Sequence, residues 1–287
     1  ESIKPDLEKL KVTTILISAD RGLQAIPYAA LHDGENYFGD SYAFSITPSL
    51  GLTDISISDS EDKILLAIGA SEFRELAPLP LVGQELSKIG GTKNKEIIFN
   101  KEFTPESFFE KAIQEKYDMI HIATHAEFKP GGPNASRLFS GTTPITLDNF
   151  SILRKGRIGN PLDLVVFSAC RTALGDPDTE LGFSGLALQA GAKSAIGTLW
   201  YVDDVMTSAY FVQMYKFLDL GIPKAEAMQL TRRLFAQKLI TLEDDKLIGF
   251  NNLPLLENLN LSQKRLIKNG LNNPFFWAGI ELMGSPW

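Results

Sequence analysis

The 287-residue sequence contains one cysteine, Cys170, and three histidines, His32, His121 and His125. A single cysteine forms no internal disulfide and suits a reducing compartment. Thiols and imidazoles this few and this dispersed match no recognisable zinc-ligand spacing, so neither a metal nor another cofactor is implied. Positive charge is not in excess either. With 28 basic residues against 35 acidic ones and a net charge of -7, the chain lacks the basic footprint of a non-specific nucleic-acid binder. No long uninterrupted apolar run suggests a membrane span, and the N-terminus has no signal-peptide core, so the expectation is a cytoplasmic protein without a membrane partner. There is no phosphate loop ending in Lys-Ser/Thr, for which Gly131-Gly132 is a poor substitute, and neither Ser168 nor Ser184 lies in a Gly-x-Ser-x-Gly elbow. The chain opens Glu1-Ser2-Ile3 with no initiator Met, as expected of a piece of a longer protein.

What is present is an ordinary globular composition, 44% hydrophobic and 22% charged, with enough apolar side chains for one large α/β domain or two small ones. Short strand-like runs recur: 11–18, 63–69, 96–99, 118–125, 163–170, 193–200 and 273–283. Helical stretches alternate with them. Leu81–Ile89 fits an amphipathic helix with Glu85 and Lys88 exposed, Thr104-Pro105 is an N-cap followed by Pro at the first helical position, and 146–153 suggests a short helix. Leu181–Ala190 is apolar enough for a buried helix. Asp203 stands at an N-cap before Met206, Tyr210, Phe211, Met214, Tyr215 and Leu218, a stripe read as core, and Pro223 opens a helix through about Gln237. Strands alternating with helices imply crossovers and a mostly parallel sheet with helices on both faces. Tyr37-Phe38 and 42–46, separated by Gly39-Asp40, look like a small hairpin, and His32 reads as a turn residue. Residues 241–272 turn polar and read as an excursion from the sheet with a helix of their own at Leu261–Lys268. No linker is strong enough to divide the chain, so the expectation is one domain, 1–287, with an insertion at 241–272.

Two strands share a design. Residues 118–125 run through apolar positions into His125 and a Pro- and Gly-containing loop, and residues 163–170 run likewise into Cys170. In open parallel sheets reactive groups collect outside the carboxyl ends of strands. If the two strands are neighbours, His125 and Cys170 meet there. A thiol reacts as thiolate, and an imidazole can take its proton and later return one to a leaving group. The competing reading is that Cys170 is a small buried hydrophobe and His125 a surface or capping residue. His121, in mid-strand, is read as packed within the sheet layer and structural.

At His121-Ile122-Ala123-Thr124-His125 and Leu164–Thr172 the chain resembles the CHAT family, caspase- and separase-like domains often attached to tetratricopeptide-repeat arrays. Residues 22–31, 65–69, 190–194, 198–204 and 274–278 agree in the family's order. The resemblance implies a caspase-like three-layer α/β sandwich, the clan CD type, with a His/Cys dyad that cleaves peptide bonds: His125 as base, Cys170 as nucleophile, and backbone N–H groups near Ala126 and Cys170 binding the oxyanion. The implied partners are a protein substrate and an upstream tetratricopeptide segment or regulatory protein. Ala126 stands where the family usually has Gly, Arg171 where it has an acidic residue, and residues 241–272 exceed the usual connection. In the separase branch an acidic residue after the Leu-Trp strand helps hold a basic P1 side chain. Asp203 and Asp204 occupy that stretch, although helix capping alone accounts for at least one of them. The rival readings are a catalytically silent interaction or regulatory module and another cysteine hydrolase or acyltransferase on a similar sheet.

Overall fold

Side chains that alternate between two buried faces explain why the strands read as unbroken apolar runs. In Leu65–Gly69, Leu65 and Ala67 join one core cluster and Leu66 and Ile68 the other, and in Leu164–Ser168 Leu164 and Val166 part in the same way from Val165 and Phe167. The computed structural model describes residues 3–20, 23–47, 49–56, 63–90, 94–127, 136–157, 159–169, 185, 187, 188 and 190–287. In chain order the elements begin α1 (Lys4–Lys9), β1 (Thr14–Ser18), α2 (Phe38–Ser41), β2 (Ala43–Thr47), β3 (Leu65–Gly69), α3 (Val82–Lys88), β4 (Lys95–Phe99), α4 (Pro105–Ala112) and β5 (Met119–Ala123). They continue with β6 (Ala126–Glu127), β7 (Arg137–Phe139), β8 (Pro144–Thr146), α5 (Ser151–Gly156), β9 (Leu164–Ser168), β10 (Ser194–Thr198), α6 (Asp204–Asp219) and α7 (Lys224–Ala236). The last are β11 (Thr241–Glu243), β12 (Lys246–Ile248), β13 (Pro254–Leu256), α8 (Leu261–Lys268) and β14 (Ile280–Gly284).

Eight strands form the central sheet in the order β1-β2-β14-β10-β9-β5-β3-β4. Its pairs are parallel except β10 with β14, so the expected mostly parallel sheet is present. The last strand does not finish an edge: β14 lies between β2 and β10. Nor does it begin at Asn273, because Pro274–Phe276 is a turn of 3-10 helix whose Phe275 N–H donates to the Asn273 side chain. Helices α3, α6 and α7 cover one face, where Val82, Leu86, Met206, Tyr210, Phe211, Met228 and Phe235 are buried. On the other face α4 and α5 contribute Phe108, Ala112 and Leu153.

Capping follows the sequence. Thr104 and Ser107 form a reciprocal capping box at α4, and the Asp203 carboxylate accepts the Val205 N–H at the start of α6. Two expectations fail. The stretch after Tyr37 is not a hairpin: Phe38–Ser41 is one helical turn, with Asp40 buried and paired with Arg233, and Ala43–Thr47 is an interior strand parallel to β1. Glu85 is not exposed. It is 1% accessible, because α3 lies flat on the sheet and turns that side chain toward β5.

Residues 241–268 leave the central sheet, forming the three-stranded sheet β11-β12-β13 and the helix α8, which Asn260 caps. This unit grips α3. Gln84 exchanges two hydrogen bonds with the Glu257 backbone, and Lys88 pairs with the Glu257 carboxylate at 2.9 Å.

Candidate active site

β3 passes the chain outward to β4, whereas β5 passes it the other way toward β9. The carboxyl ends of β3 and β5 therefore flank a topological switch point, where parallel sheets open a crevice. The close approach there is built in. A Cβ on Gly69 would meet the Ala123 carbonyl oxygen at 2.5 Å, so the last position of β3 admits no side chain. His125 lies two residues past β5, half-buried, with its ring centroid 4.7 Å from that of Phe73. Its Nε2 is 2.8 Å from the Ala77 carbonyl oxygen. A carbonyl only accepts, so Nε2 carries the proton and, in the neutral ring, Nδ1 is left as the basic nitrogen.

β9 lies beside β5 with Ser168 opposite Ala123, and the Thr124 N–H donates to the Ser168 carbonyl at 3.3 Å. Counted from that register, His125 and Cys170 are each two residues beyond paired strand ends. Cys170 itself lies outside the described residues, as do Arg171 and most of 181–190. The described chain leads up to it through Ala169, whose carbonyl oxygen accepts the Thr198 hydroxyl at 2.8 Å. Ala126 opens β6 and pairs with Leu138 of β7, so the chain after His125 is held in a small antiparallel sheet.

A cleft at this edge is lined by His125, Thr124, Ser168, Ala169, Thr198, Tyr201, Asp204 and Glu85, with Leu79 and Val82 among its apolar walls. The two aspartates divide their roles. Asp203 caps α6, whereas Asp204 lines the cleft and accepts the Leu81 N–H through Oδ2 at 3.1 Å. The Asp204 carboxyl is raised to about 7, chiefly by burial, with the Leu81 N–H opposing the rise and Glu85 and Asp203 adding to it.

Under the cleft, Glu85 is bound twice: Oε1 lies 2.8 Å from His121 Nε2, and Oε2 accepts the Ser208 hydroxyl at 2.7 Å. His121 is fully buried, with Phe211 and Tyr215 at its ring edges, in keeping with a structural role. Sequence reasoning missed Glu85, Ser208, Ala77 and Thr198. Only the imidazole in the middle of an apolar strand signals a buried acidic partner. His32, by contrast, is an exposed turn residue whose Nδ1 accepts the Gly34 N–H. Among the described residues no group of three His, Cys, Asp or Glu side chains is arranged to hold a metal ion, and no helix is long and apolar enough to cross a membrane.

The family model for the CHAT domain matches residues 1–285. This chain belongs to the CHAT family. Among solved structures, the CHAT chain is similar to the Saccharomyces cerevisiae separase–securin complex, with a TM-score of 0.58 and 11% identity over 94% of this chain and 15% of that one. It is similar also to the complex of the pro- and mature domains of RgpB from Porphyromonas gingivalis, with a TM-score of 0.52 and 13% identity over 99% of this chain and 67% of the other. A third similar structure, the Arg-specific cysteine proteinase gingipain R (RgpB), gives a TM-score of 0.53 and 12% identity over 99% of this chain and 66% of that one. No curated protein matches the sequence. At these identities the likeness is one of fold, and the fold is the caspase-like α/β sandwich expected from the sequence.

Proposed function

We propose that this CHAT domain is a cysteine endopeptidase in which Cys170 is the nucleophile and His125 the base. The observation that carries the reading is the register of β5 with β9, which sets the two positions at equal distances past adjacent strand ends, together with the Ala77 carbonyl that leaves Nδ1 of His125 as the basic nitrogen. In this reading Nδ1 takes the thiol proton as Sγ attacks the substrate carbonyl carbon. The negative charge that develops on the carbonyl oxygen is met by the backbone N–H groups of Ala126 and Cys170. The C–N bond then breaks, the imidazolium returns the proton to the departing amine, and water hydrolyses the thioester with His125 again as base.

Asp204 is the residue proposed to receive the substrate side chain beside the cleaved bond, which gives a preference for Lys or Arg there, with Asp203 limited to capping. The Arg specificity of gingipain R, a relative in fold, and the acidic floor of the cleft support this choice. A protein substrate in the cytoplasm and a regulatory protein or an upstream tetratricopeptide segment are the partners proposed, the separase–securin complex being a relative in fold that is held by a second protein. The unit is proposed to act as one domain in which 241–272 is an insertion.

A peptidyl-arginine acyloxymethyl ketone tests the reading on the full chain under reducing conditions. It should label the wild type and not Cys170→Ala, and it should label His125→Ala at a rate lower by roughly 10²–10⁴-fold. A folded wild type that neither reacts with this probe nor cleaves any member of a peptide library would sink the peptidase reading and leave a silent interaction module.

A further inference from the structure

Glu85 serves neither the proposed nucleophile nor the proposed base, yet it is the most elaborately held acid near the cleft. Its side chain is 1% accessible, one carboxylate oxygen faces His121 Nε2 and the other accepts the Ser208 hydroxyl. These partners come from β5 and α6, so the carboxylate joins the central sheet to both helices that wall the cleft. The Glu85 N–H donates to the Leu81 carbonyl at 2.9 Å, and the Leu81 N–H donates to Asp204. From the far side α3 is held by Gln84 and Lys88 against Glu257. A helix of seven residues fastened at so many points is a rigid mount for one negative charge behind another.

We propose that Glu85 is a positioning residue for the cleft: its buried carboxylate, fixed by His121 and Ser208, sets the pH range over which Asp204 accepts a cationic side chain. The inference rests on the assignment of Asp204 as the cation-binding acid. A buried carboxylate on the same low-dielectric wall disfavours the ionisation of Asp204, and a cation entering beside the two relieves that cost. Asp203 on its own helix and the Leu81 N–H at the start of α3 also act on Asp204, and His125 beyond β5 and Tyr201 beyond β10 line the same cleft. Glu85 stands apart from them in being sealed from solvent, where water and salt do not screen it. A cation therefore meets an acid that mostly holds its proton at mildly acidic pH and is mostly charged at alkaline pH.

Two measurements on the full chain test this. The first follows the Asp204 carboxyl by ¹³C NMR across pH, with no ligand, in the wild type and in Glu85→Gln. Gln keeps the size of the side chain and can still accept from Ser208 and donate to His121. The Asp204 midpoint should move to lower pH in the variant. An unmoved midpoint in a variant that melts like the wild type overturns the inference whatever ligands do. The second measures binding of benzamidine against its neutral analogue benzamide. At pH 6 the variant should bind benzamidine roughly three- to tenfold more tightly than the wild type, and at pH 8.5 equally or more weakly, because Asp204 is then charged in both and the remote attraction of Glu85 is gone. Equal weakening at every pH marks a merely structural role and overturns the inference. Should Glu85→Gln not fold, Ser208→Ala replaces it. Loss of the hydroxyl leaves the Glu85 charge less shielded, so the Asp204 midpoint should rise, and a fall or no change overturns the inference. A wild type that binds benzamide as well as benzamidine removes the cation reading of Asp204 itself, an outcome the ligand-free titration distinguishes.

Discussion

The imidazole of His125 donates from Nε2 to the Ala77 carbonyl oxygen 2.8 Å away, and the Phe73 ring lies against it. Both partners come from the segment between β3 and α3, so the strand that bears the imidazole does not by itself orient it. The consequence is a fixed tautomer with Nδ1 free to take a proton. ¹⁵N NMR of labelled histidine should find His125 protonated at Nε2 in its neutral form. Phe73→Ala keeps the carbonyl and loosens the ring, and if His125 is the base as proposed it should lower turnover by about tenfold with little change in thermal stability, since small misplacements of a reacting group are costly. Unchanged turnover would show that Ala77 suffices.

Asp204 gives a pH prediction with a definite sign. Its folded-state carboxyl, raised to about 7 chiefly by burial, lies above its ordinary value of 3.8, so between these values the folded chain holds a proton that the unfolded chain has lost. The stabilisation is fully present below about 4 and is lost as pH rises toward 7. Asp204→Asn should thus match the wild type at pH 4 and exceed it at pH 8 by roughly 1–3 kcal/mol in urea unfolding. The same variant should lose any preference for basic peptides. A stabilised variant that keeps its preference would locate cation recognition elsewhere.

Most of the sheet was legible because strands buried on both faces leave short apolar runs bounded by turn residues, and Asp203 and Thr104 announce their helices by local chemistry that needs no tertiary information. Where the outcome depends on a distant partner, the local pattern misleads. Glu85 fits the exposed side of an amphipathic helix, but His121 lies 36 residues away and Ser208 lies 123 away, and together they draw it inside. Gly39-Asp40 reads as a turn because nothing nearby announces that Arg233 will bind the aspartate in a buried helical turn. Asn273–Met283 has the aromatic composition of a strand along its length, yet the Asn273 cap and Pro274 start a 3-10 turn first. At the site, the position of His125 was legible from a strand end, whereas Asp204 was marked only by the family resemblance. The Ala77 and Thr198 contacts were not, since a backbone carbonyl has no sequence signature.

Thr198 holds the approach to Cys170. Its hydroxyl donates to the Ala169 carbonyl, and that carbonyl belongs to the same planar peptide unit as the Cys170 N–H, the donor proposed for the oxyanion. Thr198→Val preserves shape and removes the bond. It should cost about 1–2 kcal/mol in stability, for a buried carbonyl that has lost a donor, and should reduce kcat by about tenfold with KM nearly unchanged, because a donor aimed at the oxyanion acts in the transition state. Loss of stability without loss of kcat would confine Thr198 to packing.

At the opposite edge of the sheet, Asp163 precedes β9 and is clasped by Lys224 at 3.0 Å and Lys63 at 2.7 Å. Lys224 is 4% accessible, and its burial lowers the ammonium to about 8, the nearby Asp163 acting against that fall. Burial works to raise the Asp163 carboxyl, but the two ammonium groups outweigh it and leave the carboxyl lowered. The signs differ accordingly. Asp163 contributes stability above its unfolded value that is lost as pH falls through the folded one, whereas Lys224 costs stability at neutral pH, and the cost is relieved as pH rises from about 8 to 10.5. Asp163→Ala strands a buried ammonium and should destabilise by about 3–5 kcal/mol, and Lys224→Met should destabilise less, since Lys63 still neutralises the carboxylate. The double variant should be more stable than Asp163→Ala alone, because the buried charge that lost its partner is gone as well. Chemical denaturation of the four proteins at pH 7 decides it: additive losses would mean that the pair is not coupled and that β9 is held by its apolar neighbours alone.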